Sequence, residues 1–82
     1  MVAKIKIRTK SGSDIIFYKD IENVISFQSL ELYNDLKNSR SSILEIDDPM
    51  MSDSLLMLKS EMVINRESIE YWQVDYLWKR PN

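Results

Sequence analysis

Met62–Trp78, MVINRESIEYWQVDYLW, restricts the fold of this chain more than any other stretch. Val63 and Ile64 are β-branched and close an apolar run. Asn65-Arg66-Glu67-Ser68 is polar and turn-prone, because Asn and Ser side chains bond nearby backbone groups. From Ile69 the residues alternate. Tyr71, Gln73, Asp75 and Leu77 fall on one face, and Trp72, Val74, Tyr76 and Trp78 on the other, as a two-residue period requires. The second set is large and apolar and is assigned to a core. The pattern is therefore the end of one strand, a short turn and a closing strand that carries half of the chain's eight aromatics. Trp78, nearest the end of the sequence where a core is thinnest, is also the leading candidate for contact with a partner.

The other strands follow the same grammar. In Val2–Lys10, Ala3, Ile5, Ile7 and Thr9 alternate with Lys4, Lys6, Arg8 and Lys10, which gives a half-buried strand with one wet, basic face. Ser11-Gly12-Ser13 holds the only glycine, and glycine reaches positive φ without steric cost, so a tight hairpin turn is expected there. Asp14–Tyr18 is the return strand, apolar on both faces. Ser42–Asp47 predicts a strand with Leu44 and Ile46 inward and Glu45 and Asp47 outward. Asp47-Asp48-Pro49 ends it, because proline has no N–H to give. Ser54–Asn65, opening on Leu55-Leu56-Met57-Leu58, is read as one long strand.

Between the second and third strands the spacing predicts a helix. Asp20 is the expected cap, Glu22 lies in the favourable first turn, and Ile21, Val24, Ile25, Gln28 and Leu32 form a stripe, with Leu36 one turn beyond. The expected helix runs to about Asn38. Val24-Ile25-Ser26-Phe27 has strand preference, and Ser29 offers a second cap for a shorter helix.

The resulting order is β-β-α-β-β-β. It gives an α+β domain over residues 1–82, with residues 79–82 as a flexible tail. Two architectures satisfy it: a mainly antiparallel twisted sheet with one helix packed on it, or a small partly closed barrel. The last three strands are expected to form a meander. Ile16, Tyr18, Leu55, Met57 and Leu77 lie opposite the inferred core. One helix cannot cover both sides of a sheet, so that second face either closes onto itself or meets another chain.

Composition narrows the chemistry. The chain has 82 residues, enough for one modest core, and 44% of them are hydrophobic and 29% charged. It has no cysteine and no histidine. Disulfides, thiolate ligands and thiol nucleophiles are thus excluded, and the commonest metal ligand and general acid–base is missing. No signal peptide or bilayer-spanning run is present, and a cytoplasmic protein is expected. Glu45, Asp47, Asp48 and Asp53 form an acidic cluster without the spacing or glycine of an EF-hand loop. No Ser-x-x-Lys motif and no phosphate-cradling glycine loop occur. Enzyme activity, a metal and a cofactor are not expected.

Charge is unevenly placed. Residues 1–19 hold five basic side chains against Asp14 alone, whereas residues 20–78 hold four basic and twelve acidic ones. Four cations alternating along the first strand are able to track phosphates, although lysines along a strand also deter unwanted pairing.

The layout IKIRTKSGSDIIFY, helix, SILEI and MVINRESIEYWQV resembles small uncharacterised proteins of Gram-positive bacteria and their phages, which share a hairpin, a helix and a V-I-N-x-x-x-I turn. The resemblance implies a cytosolic accessory protein and carries over no functional residues. The sequence thus points to a non-enzymatic interaction module, self-associating as a homo-oligomer or docking on a protein partner through Tyr18, Leu55, Met57 and Trp78. The alternative is a nucleic-acid-binding accessory protein using Lys4, Lys6, Arg8 and Lys10.

Overall fold

The computed structural model describes residues 1–38, 42–47 and 61–81. Strands β1 (Val2–Thr9) and β2 (Asp14–Asp20) form the expected hairpin. Gly12 at its tip takes φ +92°, a left-handed conformation that a side chain disfavours. The turn is closed by Gly12 N–H to the Thr9 carbonyl and Thr9 N–H to the Ser13 carbonyl, both at 2.9 Å. Helices α1 (Val24–Gln28) and α2 (Glu31–Lys37) follow. Strands β3 (Ile43–Asp47) and β4 (Glu61–Asn65) come next, then a 3₁₀ turn at Arg66–Ser68 and strand β5 (Ile69–Leu77).

The α+β class and the element order are those read from the sequence. The strands form two antiparallel sheets, ordered β2-β1-β5 and β3-β4, with no closure into a barrel. The expected meander is therefore corrected. β5 leaves β4 at the 3₁₀ turn and pairs along β1, from Val2↔Leu77 to Thr9↔Ile69. The Asn65 side chain accepts from Glu67 N–H at 3.1 Å, and Ser68 Oγ donates to the Asn65 carbonyl at 2.6 Å. This turn chemistry redirects the chain into the other sheet. A hydrogen bond at 2.8 Å from Lys10 N–H to the Ser68 carbonyl fixes the turn beside the first hairpin.

The single long helix is corrected to two short ones. Its cap is Asn23 rather than Asp20. The Asn23 side chain accepts from Ser26 N–H at 2.8 Å, and Ser26 Oγ accepts from Asn23 N–H at 3.1 Å, a reciprocal capping box. Ser29 then ends α1, with its hydroxyl donating to the Ile25 carbonyl at 3.0 Å. This is the local competition with helix continuation that serine offers. Leu30 turns extended (φ −75°, ψ 149°) before α2 starts. The break re-aims the apolar stripe, so Ile25, expected inward, is 74% exposed, while Phe27 and Leu36 are buried.

The core lies between the two sheets and the helices. Ala3, Ile5, Ile7 and Phe17 from the larger sheet meet Phe27, Leu36, Leu44, Ile46 and Ile64. Trp72, Val74 and Tyr76 pack against this cluster as expected. Phe27 meets Tyr33 and Tyr76 edge-to-face with ring centroids at 5.7 and 5.9 Å, and Tyr33 meets Trp72 at 6.4 Å. These contacts hold the helices on the inner face of β2-β1-β5. Lys19 Nζ donates to the Asp47 carbonyl at 2.8 Å and Arg66 donates to the Asp35 carbonyl, tying β2 to β3 and the 3₁₀ turn to α2.

Candidate interaction surface

Helices and the small sheet cover only one side of β2-β1-β5, and the other side is laid out by register. Residues paired across antiparallel strands share a face. The outer face therefore consists of four rows: Asp20–Val2–Leu77, Tyr18–Lys4–Asp75, Ile16–Lys6–Gln73 and Asp14–Arg8–Tyr71. A register shift between Arg8 and Thr9 lets β5 hold one extra residue there. Such a bulge reverses which side chains face out, so Ile69 packs on the core while Tyr71 stands on the outer face.

The sequence-derived residues divide accordingly. Tyr18 is half-buried on the outer face beside Lys4. Trp78 follows the last residue of β5, at the sheet end that holds Val2, Asp20 and Leu77, and is 87% exposed. The alternation that assigned Trp78 to the core stops with the ladder, and its side chain leaves the packed interior. Leu55 and Met57 lie outside the described residues. Ile16 (47% exposed) and Tyr71 (39%) add apolar surface to the same face. Sequence alternation placed Ile16 and Tyr71 opposite the core, but gave no sign that the pairing of β5 with β1 brings Tyr71 beside Arg8.

The basic row is brought together in part. Lys4, Lys6 and Arg8 share the outer face of β1, the central strand, while Lys10 lies beyond it in the hairpin turn. Two of the three are engaged. Arg8 Nε and an Nη donate to the two oxygens of Asp14 at 2.7 and 2.8 Å, a bidentate pair. Lys6 Nζ stands 3.9 Å from the same carboxylate. The hydrogen bond from Arg8 holds the Asp14 carboxyl below its ordinary value. Partial loss of water opposes that shift, and the charges of Arg8 and Lys6 add to it. Arg8 in turn is held more firmly protonated, chiefly by its bond to Asp14. Lys6 and Arg8 also lie 5.9 and 5.7 Å from the centre of the Tyr71 ring, within reach of its negative face. At the far end, Arg80 reaches Asp20 at 3.1 Å, across the row in which Val2 is buried.

Of the acidic cluster, Glu45 and Asp47 lie on the exposed face of β3, and Asp48 and Asp53 fall outside the described residues. Among the described residues no group of three or more acidic side chains is placed to hold a metal ion. A groove of about 380 Å³ between α2 and β3 is lined by Lys19, Leu30, Glu31, Leu32, Asp35, Glu45 and Asp47. Its lysine is already bound to the Asp47 carbonyl. Among the described residues no helix is long and apolar enough to cross a membrane.

No family model matches this chain, and no curated protein or solved structure does either.

Proposed function

We propose that this chain is a non-enzymatic docking module that binds a protein, or a second copy of itself, through the outer face of β2-β1-β5. One observation carries the reading. The side of the larger sheet turned away from the helices presents Tyr18, Ile16 and Tyr71 among charged residues, with Trp78 projecting at its end. Aromatic and arginine side chains surrounding a small apolar area are the usual material of protein interfaces. Binding a nucleic acid through Lys4, Lys6, Arg8 and Lys10 is less well supported. Such binding is driven by cations that release counterions from phosphates, and Arg8 and Lys6 already share Asp14.

Native mass spectrometry on protein gently purified from its own host tests the proposal. The expected result is the mass of the chain plus a protein, or a multiple of the chain. That assembly is lost when Tyr18→Glu and Tyr71→Glu are combined in a folded variant. A bare monomer, an assembly untouched by the double substitution, or a monomer carrying nucleic acid contradicts it.

A further inference from the structure

The charges on the outer face set what can cover it. The middle of its four rows lies between Lys4 and Lys6 on β1, and Lys4 stands out there. Its register partner is Asp75, but both Asp75 oxygens accept from Gln73 Nε2 at 3.1 Å. Among the described residues the Lys4 ammonium has neither an ion pair nor a hydrogen bond. Lys6 has only the distant share of a carboxylate that Arg8 holds in both hands of its guanidinium. Of the other charges, Arg8 is paired with Asp14 and Arg80 with Asp20, while Asp75, held by a neutral amide, keeps its charge on the strand beside Lys4. Four cations thus meet three carboxylates, and the excess positive charge lies at Lys4 and Lys6 in the centre, with Tyr18 and Tyr71 diagonal to Lys6 on the flanking strands.

We propose that this surface takes an acidic segment of a different protein, with carboxylates meeting Lys4 and Lys6 and apolar side chains lying against Tyr18, Ile16 and Tyr71. The proposal rests on the docking reading above and names the partner's chemistry. Symmetry argues against a second copy. A symmetric dimer is isologous, and a two-fold axis lying in this face through its middle lays the central strand over its own copy. With the axis running along or across the strands, Lys4 then opposes Lys4 or Lys6 of the other chain. Moving the axis off-centre relieves that repulsion only by reducing overlap. The overlap is small to begin with: three strands about 4.8 Å apart and four rows about 6.8 Å apart project roughly 400 Å². A standard stable interface needs about 800 Å² from each partner. An acidic segment meets the central cations without that conflict.

The test selects short random peptides on the immobilised full-length protein at low ionic strength, then titrates soluble winners into the isotope-labelled protein. Winners are expected to carry Asp or Glu interspersed with aromatic or aliphatic residues, and to shift the amide signals of Lys4, Lys6, Tyr18 and Tyr71. Binding should weaken at least tenfold in Lys4→Glu/Lys6→Glu, with Lys4→Gln/Lys6→Gln used if the reversal does not fold. Winners without carboxylates that shift the same residues overturn the acidic partner and leave the docking surface standing. Winners that shift other surfaces, or no winners at all, overturn both. Competition by oligothymidylate as effective as unlabelled peptide makes the face a general polyanion site and overturns the proposal. So does a concentration-dependent dimer, seen by sedimentation velocity, that the double substitution alters.

Discussion

Arg8 and Asp14 make the strongest polar contact on the outer face, and its pH dependence has a definite sign. A carboxyl held low in the folded state contributes stability that is present above its unfolded value, near 4. That stability is lost as the pH falls through the lower folded value. Asp14→Asn should therefore lower the melting temperature at pH 7, and the gap from the parent should close as the pH drops below about 4. A gap that persists unchanged in acid removes the ion pair as its cause. Two aromatics define the opposite limits of packing. Phe27 is fully buried against Tyr33 and Tyr76, and Phe27→Ala should cost about 3–5 kcal/mol by chemical denaturation. Trp78, 87% exposed, should change stability by no more than about 0.5 kcal/mol when replaced by alanine. A large loss in Trp78→Ala would show that it packs after all.

Short elements here are held by side-chain bonds, not by intrinsic propensity. Helix α1 is five residues long, too short to persist alone, and its capping box supplies what length does not. Asn23→Ala should cost about 1 kcal/mol, read by denaturant midpoint, whereas Asp20→Ala should leave the helix untouched because Asp20 ends β2. Strands were legible from sequence wherever burial is one-sided. The alternation in β1, the inward Leu44 and Ile46, and the glycine turn at Gly12 all appear where the period placed them. In the helical region Ser29 was a candidate boundary, but the 3.6-residue stripe favoured one long helix and gave no sign that the residues before Ser29 form a helix of their own. At the break the Ser29 N–H and hydroxyl both donate to the Ile25 carbonyl, and Leu30 turns extended. The pairing of β5 with β1 was hidden as well. Alternation gives the faces of a strand but does not name its neighbour, and a short turn between β4 and β5 suits a hairpin equally well.

At the scale of the molecule, the two sheets and two helices enclose one core and leave the outer face of β2-β1-β5 without a layer over it among the described residues. Half of the sequence-derived contact set, Tyr18 and Trp78, lies on this face or at its end. Three of the four basic residues lie on it too, Arg8 paired with Asp14 and Lys4 and Lys6 at its centre. The outward place of Tyr71 was legible from the alternation of β5, whereas its position beside Arg8 was not, because it depends on a non-neighbouring strand. The central claim is that this face is where a protein docks. Photo-crosslinking in the native host tests it most directly, with benzoyl-phenylalanine placed at Tyr18 or Tyr71 and, as controls, at Ile25 or Val63, which are 74% and 61% exposed on other elements. The account predicts a discrete protein adduct from Tyr18 and Tyr71 and none from Ile25 and Val63. Adducts from the control positions alone, or equally from all four, would contradict it.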